Sequence, residues 1–265
     1  MTVAILGVGV MGETLLSGLI RSGRPAADLL VGEKRADRAA QLTEKYGVRA
    51  VSNLDAVAEA DTVALVVKPQ DMADVLAEIS PALDSGTLLV SLAAGITTAF
   101  IESRVPEGVA VVRVMPNTPA LVDEGMAAIS AGTHCDEEHL AVAESLLSAT
   151  GRVLRVPENQ QDAVTAISGS GPAYLFFVVE AMIEAGVHLG LPRSTATELV
   201  VQTVVGSAKM LKETGEHPTV LRERVTSPGG TTAAAVRQLE DHRVRAAFMN
   251  AMEAARDRSR ELAGE

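Results

Sequence analysis

The stretch that decides the fold is Val3-Ala4-Ile5-Leu6-Gly7-Val8-Gly9-Val10-Met11-Gly12, close to the N-terminus. Its first four residues are apolar, as is typical of a buried parallel strand, and the glycines that follow form the pattern G-x-G-x-x-G. Leucine and isoleucine then recur at helical spacing over residues 15–20, and a second strand is predicted at residues 29–31. The glycine pattern thus stands in a strand–helix–strand unit, the context in which it binds the pyrophosphate of a dinucleotide.

Outward from this unit, strand and helix patterns alternate up to Pro157, and only helical patterns follow it. Further strands are predicted at residues 48–52, 62–67, 87–92, 109–115, 125–130 and 152–156, with helices at 36–45, 71–79, 98–104 and 137–148. In the second part, helices are predicted at residues 172–179, 193–213, 218–225, 231–240 and 244–262. The sequence therefore predicts an α/β protein with a Rossmann-type dinucleotide-binding domain over residues 1–157 and an all-α C-terminal domain over residues 158–265.

Four loops follow successive predicted strands at their carboxyl ends. They contain Asn53, Val67-Lys68-Pro69, Ala93-Ala94-Gly95 and Met115-Pro116-Asn117. The carboxyl ends of parallel strands meet at one edge of the sheet, which is where open α/β sheets bind their ligands. We therefore expect these loops to bind the dinucleotide together with the glycine-rich loop, that is with Gly7, Gly9, Val10, Met11 and Gly12.

A second glycine-rich stretch, Val225-Thr226-Ser227-Pro228-Gly229-Gly230-Thr231-Thr232, precedes the helix predicted at residues 231–240. Pro228 and the two glycines predict a tight turn, which would present backbone N–H groups and the hydroxyls of Thr231 and Thr232 at the start of the helix. Unpaired N–H groups and the helix dipole both favour an anion at that position. The alternative is an ordinary helix whose first turn is capped by a Ser or Thr side chain.

The helical part contains apolar residues on more than one face of two helices, at residues 173–179 and 199–205. A helical domain of this size has too little interior to bury all of them. We therefore expect a homodimer in which the helical domains of two chains pack into each other or interlace, so that this domain serves dimerisation.

Composition excludes several classes of function. The net charge of −11 and the aromatic content of 2% argue against binding of nucleic acid or of an anionic membrane surface. The single Cys135 excludes an internal disulfide, and the five histidines lack metal-ligand spacing, so no metal is expected. No signal peptide and no apolar run long enough to span a bilayer are recognised, which predicts a cytoplasmic protein.

Taken together, these segments resemble the pyrroline-5-carboxylate reductase family over nearly the whole chain. The segment at residues 225–232 is the most specific, whereas the first glycine pattern is shared with many dehydrogenases. The remaining matching segments are Val67-Lys68-Pro69, Ala93-Ala94-Gly95, Asn117-Thr118-Pro119 and residues 166–174. The resemblance implies NAD(P)H-dependent reduction of the cyclic imine 1-pyrroline-5-carboxylate to L-proline, the last step of proline biosynthesis.

The resemblance also implies roles for residues of the second glycine-rich stretch. The substrate would be bound by Ser227, Gly229, Gly230, Thr231 and Thr232. Thr232 would be the catalytic residue beside the imine nitrogen, where its hydroxyl would orient the iminium or relay a proton from water, since Thr itself is a poor acid. The family further implies interlaced dimers that assemble further, often to decamers.

The choice of cofactor rests on conflicting signals. Glu33 ends the second strand, where an acid usually holds the ribose hydroxyls of NAD and repels a 2′-phosphate. Lys34 and Arg35 follow it, and both can pair with that phosphate. One acid against two bases leaves the pocket positive if all three side chains face the adenosine. Because the family most often prefers NADPH, we expect NADPH with usable NADH activity; the alternative is that Lys34 and Arg35 are solvated residues at the start of the next helix.

Two other functions are compatible with parts of the sequence. The β-hydroxyacid dehydrogenases share this domain order, but they carry a catalytic Lys shortly after a G-x-x-G-x-G motif. Here residues 172–177, after Gly171, contain no Lys. A non-catalytic dinucleotide-sensing regulator would bind the cofactor without turnover, and the Thr231-Thr232 site argues against it.

Overall fold

The computed structural model describes residues 1–263, which divide into two compact units. The first unit comprises Met1–Ser170 together with the end of the last helix from Ala255 onward, and the second comprises Gly171–Ala254. The chain therefore leaves the first unit once and returns to it once. The sequence predicted a boundary between a dinucleotide-binding domain and a helical domain at residues 157 and 158. That division by function stays a prediction.

The first unit is built around one eight-stranded sheet. Its strands are β1 (Val3–Leu6), β2 (Leu29–Gly32), β3 (Arg49–Val51), β4 (Thr62–Leu65), β5 (Leu88–Ser91), β6 (Ala110–Met115), β7 (Gly125–Ala131) and β8 (Gly151–Arg155). Its helices are α1 (Val10–Arg21), α2 (Ala36–Tyr46), α3 (Asn53–Glu59), α4 (Met72–Ile79), α5 (Thr98–Glu102), α6 (Glu137–Leu147) and α7 (Gln161–Val164). A π-helical turn, Thr165–Gly169, follows α7. This confirms the predicted Rossmann-type fold.

The strands lie in the order β3-β2-β1-β4-β5-β6-β7-β8. All neighbouring pairs are parallel except β6 and β7, which are antiparallel. The first six strands therefore run in the same direction, and their carboxyl ends share one edge. The four segments singled out from the sequence, containing Asn53, Lys68, Gly95 and Asn117, follow strands at that edge.

Helices bury both faces of the sheet. Val3 and Ile5 of β1 point to one face, where they pack with Leu15, Leu16 and Leu19 of α1. Their neighbours in β1, residues 4 and 6, point to the other face and pack with the apolar residues of α4. Alternation along a strand places successive side chains on opposite faces, so a continuous apolar run is what a strand covered on both sides requires.

The outer strands of the sheet, β3 and β8, carry exposed arginines that pair with acids of neighbouring helices. Arg49 of β3 forms an ion pair with Glu59, with 2.8 Å between Nη1 and Oε2. Arg155 of β8 forms one with Glu144, with 2.6 Å between Nε and Oε1. Both edges of the sheet are thus lined by charged side chains that are held by a neighbouring helix.

One local expectation was wrong. Asn53, expected in the loop after the third strand, is the first residue of α3, and Ser52 caps that helix by accepting a hydrogen bond from the Asp55 N–H. Asn53 is only 6% exposed. Ala56 and Val57 of this helix are buried. Because the helix has only seven residues, its apolar pattern is too short to be recognised in the sequence.

The second unit consists of helices, as predicted: α8 (Gly171–His188), α9 (Arg193–Thr214), α10 (Pro218–Arg224), α11 (Thr231–Asp241) and the larger part of α12 (Val244–Ala263). Gly186 of α8 lies against Ala196 of α9, since a Cβ on Gly186 would be 2.9 Å from the Ala196 Cβ. The apolar face of α8 is uncovered within one chain, where Phe176 is 67% and Phe177 73% exposed.

The helical stretch Glu158–His188 is long and apolar enough to cross a membrane by length and composition, and only 6% of its most apolar window is buried. The expectation that no apolar run reaches that length was therefore wrong. This stretch contains residues 173–179, for which the sequence predicted burial against a second chain.

Candidate functional site

The glycine-rich loop between β1 and α1 has no space for side chains where the chain turns. Gly7 adopts a φ of +83°, and a Cβ there would lie 2.8 Å from both the carbonyl oxygen of Val66 and the Cγ1 of Val67. Gly12, in the first turn of α1, lies so close to the end of β1 that a Cβ there would be 2.7 Å from the Gly7 oxygen. The first and third glycines of the pattern are therefore required by the turn and by helix–strand packing.

The middle glycine faces open space. A Cβ on Gly9 would meet no atom within 4 Å, and Gly9 is the N-cap residue of α1 without any side-chain cap. The N–H groups of the first turn, on Val10, Met11 and Gly12, consequently find no acceptor within the helix. Open space in front of uncapped N–H groups fits the pyrophosphate of a dinucleotide, because the helix dipole and the hydrogen-bond donors both favour an anion.

The loops after β4, β5 and β6 continue this edge. Lys68 is exposed and opens a short 3₁₀ turn at Pro69. In the next loop Ala93 is buried, Ala94 is exposed, and Gly95 has a φ of +74° that favours glycine. The structure therefore brings these residues to the same edge as the glycine-rich loop, with Met115 and Pro116 after β6.

Asn117, predicted to bind the cofactor, uses its side chain for two hydrogen bonds within the first unit. Its amide nitrogen donates to the Ser168 carbonyl at 3.1 Å, and its amide oxygen accepts from the Met126 N–H at 2.8 Å. The side chain thus joins β6, β7 and the π-helical turn. In addition, a Cβ on Gly169 would lie 2.4 Å from the Met115 Cε, so this turn packs directly on the loop. The side-chain amide of Asn117 therefore holds the loop in place.

At the carboxyl end of β2, the charges differ from the expected balance. Glu33, whose side chain is 11% exposed, accepts hydrogen bonds from the Arg35 N–H at 3.0 Å and the Arg35 Nε at 3.4 Å. Lys34 forms an ion pair with Glu78, an acid at the end of α4, with 3.0 Å between Nζ and Oε2. Glu33, Lys34, Asn53 and Glu78 line one open pocket.

The expectation of one acid against two bases was therefore incomplete, since two acids face two bases. Lys34 and Arg35 are 71% and 66% exposed, and Arg35 is the N-cap residue of α2. Both residues thus stand at the start of a helix, as in the alternative, but Lys34 also lines the pocket, whereas Arg35 does not. Nothing in the sequence marks Glu78, because it lies on the polar face of an ordinary amphipathic helix.

Below the glycine-rich loop, Glu13 connects α1 to α2. Its carboxylate accepts hydrogen bonds from Arg38, from Lys45 Nζ at 3.0 Å and from Tyr46 Oη at 2.8 Å. Partial burial alone would raise the pKa of the Glu13 carboxyl, but the hydrogen bonds from Lys45, Arg38 and Tyr46 outweigh it and lower the pKa to about 2. Glu13 therefore stays ionised at all ordinary pH values and holds the two helices together.

The second glycine-rich stretch forms a turn between α10 and α11. Gly229 adopts a φ of +68°, which favours glycine. Gly230 has an ordinary φ of −80°, but a Cβ there would lie 2.6 Å from the Ser227 Oγ. The Gly230 N–H donates to the Ser227 carbonyl oxygen at 3.0 Å and closes the turn. One glycine is thus required by its conformation and the other by a close approach.

The start of α11 is not capped by a side chain. Gly230 is the N-cap residue and no side-chain hydrogen bond reaches the first turn, so the alternative of a Ser- or Thr-capped helix is wrong. Thr231 is exposed and Thr232 half-buried, both in the first helical turn. Uncapped N–H groups and two hydroxyls at one helix end can hold a carboxylate and orient a second polar group beside it.

Comparison with protein-family models gives two matches. Residues 158–262 match the model described as pyrroline-5-carboxylate reductase dimerisation. Residues 2–95 match the model described as NADP oxidoreductase, coenzyme F420-dependent. The two matches correspond to the helical part of the chain and to the first half of the sheet.

Relatives of known name match the chain over its whole length. A pyrroline-5-carboxylate reductase of Corynebacterium melassecola is 48% identical, and the match covers 98% of both chains. The structure of a pyrroline-5-carboxylate reductase from Coxiella burnetii is 38% identical with a TM-score of 0.94, and it covers 98% of both chains. A pyrroline carboxylate reductase of Plasmodium falciparum, solved with NADP bound, is 30% identical with a TM-score of 0.88 and covers 99% of this chain and 98% of its own.

Proposed function

The chain belongs to the pyrroline-5-carboxylate reductase family, and from this premise we propose that it reduces 1-pyrroline-5-carboxylate to L-proline in the last step of proline biosynthesis. Members of this family are NAD(P)-dependent oxidoreductases. The observation that carries the proposal is the uncapped start of α11 after the turn at Gly229 and Gly230. It provides a site for a small carboxylate, and it lies in the segment that is most specific to the family.

The substrate site consists of Ser227, Gly229, Gly230, Thr231 and Thr232. The N–H groups of the first turn of α11 bind the carboxylate, and the close contact between Gly230 and Ser227 fixes their direction. Thr232 is the catalytic residue, because its hydroxyl can orient the iminium and relay a proton to the nitrogen. Orientation of the imine against the cofactor supplies the rest of the acceleration.

The cofactor site is the edge of the sheet in the first unit. Gly7, Gly9 and Gly12 with the N–H groups of Val10 and Met11 hold the pyrophosphate, and the loops after β4, β5 and β6 line the remainder of the site. These loops contribute Val67, Lys68, Pro69, Ala93, Ala94, Gly95, Met115, Pro116 and Asn117. The bound nicotinamide supplies the hydride, while the chain supplies position and hydrogen bonds.

We propose NADPH as the preferred cofactor, with usable NADH activity. Lys34 and Arg35 are the cations that pair with the 2′-phosphate; Lys34 and Asn53 line the same pocket, and Arg35 follows Lys34 in the chain. The match of residues 2–95 to a family described as NADP oxidoreductases supports this choice. The carboxylates of Glu33 and Glu78 disfavour a 2′-phosphate, and to this we attribute the expected activity with NADH.

The active form is proposed to be a homodimer that interlaces its helical domains over residues 158–265. The exposed Phe176 and Phe177 of α8 and Leu199 and Val205 of α9 form the surface that a partner chain covers. The match of residues 158–262 to a dimerisation family supports a second protein chain, rather than lipid, as the partner that covers this apolar surface. We further propose that the dimers assemble to a decamer and that the protein is cytoplasmic.

The test is oxidation of NADPH by the purified protein with 1-pyrroline-5-carboxylate, beside a panel of hydroxyacids with NAD. We expect turnover with the imine and none with the hydroxyacids. Turnover of a hydroxyacid alone would favour a β-hydroxyacid dehydrogenase, although no Lys follows Gly171 in residues 172–177. Tight cofactor binding without any turnover would favour a dinucleotide-sensing regulator.

A further inference from the structure

Glu78 is the one acid of the adenosine pocket that the sequence did not mark, and it makes two polar contacts there. Its Oε2 lies 3.0 Å from Lys34 Nζ and 3.2 Å from Asn53 Nδ2. A single carboxylate oxygen therefore holds both a cation and an amide of the proposed cofactor site. Lys34, Asn53 and Glu78 come from three different segments of the chain, namely the end of β2, the start of α3 and the end of α4.

Asn53 is held firmly in this arrangement. It is only 6% exposed, and a Cβ on Gly32 would lie 2.3 Å from its Oδ1, so the backbone of β2 is in close contact with the amide. Because an ionised carboxylate can only accept hydrogen bonds, the amide must present its nitrogen to Glu78. The Asn53–Glu78 bond thus keeps the Glu78 carboxylate in the pocket, whatever Lys34 does.

Lys34 is held much less firmly. Its side chain is 71% exposed, and an ion pair at such a site contributes little because water competes for both partners. The ammonium on its long stem can turn from Glu78 to another anion. A 2′-phosphate that enters the pocket must compete for this ammonium with a carboxylate that stays in place. A ribose that ends in a 2′-hydroxyl meets no such competition.

We propose that Glu78 is a positioning residue that sets the choice between the two nicotinamide cofactors, by competing with the 2′-phosphate for Lys34. It lowers the affinity for the 2′-phosphorylated cofactor and leaves that for the other unchanged. The inference rests on the proposed function, since it assumes that this pocket receives the adenosine of NADPH or NADH. It accounts for the proposed use of both cofactors at a pocket that is lined by the cation of Lys34.

The test measures binding without turnover. Titration calorimetry with adenosine 2′,5′-bisphosphate and with 5′-AMP compares two ligands that differ only at the 2′-position. In Glu78→Gln, which keeps the shape and an acceptor oxygen, we expect the bisphosphate to bind more tightly on the order of tenfold, as for one charge-assisted hydrogen bond, and 5′-AMP to be unchanged. Glu59→Gln is the matched control, because it removes an equal charge from an acid that pairs with Arg49 instead.

An equal change for both ligands, or no change for either, overturns the proposal. The double variant Lys34→Ala/Glu78→Gln, compared with Lys34→Ala, tests whether Glu78 acts through Lys34. The gain in affinity for the bisphosphate that Glu78→Gln causes should be smaller when Lys34 is absent. An undiminished gain in affinity without Lys34 contradicts competition for it. Turnover of NADPH with 1-pyrroline-5-carboxylate is measured on the same wild-type preparation. Absence of turnover counts against the proposed function. Normal turnover, together with an unaltered ratio of the affinities for the bisphosphate and 5′-AMP in Glu78→Gln, counts only against the role of Glu78.

Discussion

Gly230 and Ser227 approach each other so closely that a Cβ on Gly230 would lie 2.6 Å from the Ser227 Oγ. The turn is closed at the same place by the bond from the Gly230 N–H to the Ser227 carbonyl oxygen. The direction of the first N–H groups of α11 therefore depends on residue 230 being a glycine, which has no Cβ.

Gly230→Ala should raise the KM for 1-pyrroline-5-carboxylate and leave NADPH binding unchanged, because the added methyl group pushes Ser227 away and tilts the donors. Gly230→Val should abolish substrate binding while the fold survives. Steady-state kinetics and thermal melting check both. The matched control is Ser227→Ala/Gly230→Ala, which removes the Oγ that the methyl group meets. The double variant should be no worse than Ser227→Ala alone, and a fully additive loss would contradict the steric explanation.

Thr232→Ala should keep cofactor affinity and lower the rate of imine reduction, since one positioned hydroxyl is lost. We expect a loss on the order of tenfold to a thousandfold in kcat. Thr232→Ser should retain much of the activity, which separates the hydroxyl from the methyl group. Normal turnover in Thr232→Ala would remove Thr232 from the mechanism.

The double variant Lys34→Ala/Arg35→Ala should lower kcat/KM for NADPH at least about tenfold relative to NADH, because hydrogen bonds to a charged phosphate are lost. Lys45→Ala/Arg49→Ala removes the same charge elsewhere on the domain and should leave the ratio of the two cofactors unchanged. The measurement is kcat/KM with NADPH and with NADH for the parent and both double variants. An equal loss for NADPH and NADH would mean that Lys34 and Arg35 do not read the 2′-phosphate.

Light scattering should detect no monomer at micromolar concentration, because the exposed apolar faces of α8 and α9 need a partner. Phe177→Glu, at a position that is 73% exposed in one chain, should dissociate the dimer and abolish activity. Leu154→Glu is the control, since Leu154 is 53% exposed but lies on β8 of the first unit. A fully active, stable monomer would be incompatible with the proposed assembly.

Glu13→Gln should lower the melting temperature at about pH 7 and have progressively less effect in acid. The folded pKa of Glu13 is lowered from 4.5 to about 2, so its stabilisation is fully present above about pH 4.5 and is lost as the pH falls towards 2. Melting curves from about pH 7 to about pH 3 for both proteins give the difference. A constant difference across this range would show that the charge of Glu13 contributes nothing.

Much of the nucleotide-binding unit could be predicted from the sequence because its signals are local. The apolar run Val3–Leu6, the positive φ of Gly7 and the contact of Gly12 with the Gly7 oxygen all lie within ten residues of each other. The same holds for the turn at Gly229 and Gly230. In each case the backbone geometry is dictated by residue types that stand side by side.

The proposed adenosine pocket could be predicted only in part, because its charges come from distant segments. Glu78 meets Lys34 through the packing of α3 and α4 against the sheet, a relationship that no spacing in the sequence expresses. Nor does any spacing in the sequence show that the side-chain amide of Asn117 joins Ser168 to Met126. A residue type indicates what a side chain can bond, but the fold decides which partner it meets.

The charged edges of the sheet have a consequence for how chains can associate. A strand at the edge of a sheet offers unpaired backbone groups to any other strand, and arginines there oppose such pairing by keeping the edge solvated. β3 is only three residues long, and Arg49 and Arg155 stand on the two outer strands. Both edges of the folded sheet are therefore poor templates for a strand from a neighbouring molecule, which disfavours open-ended aggregation of folded chains through the sheet.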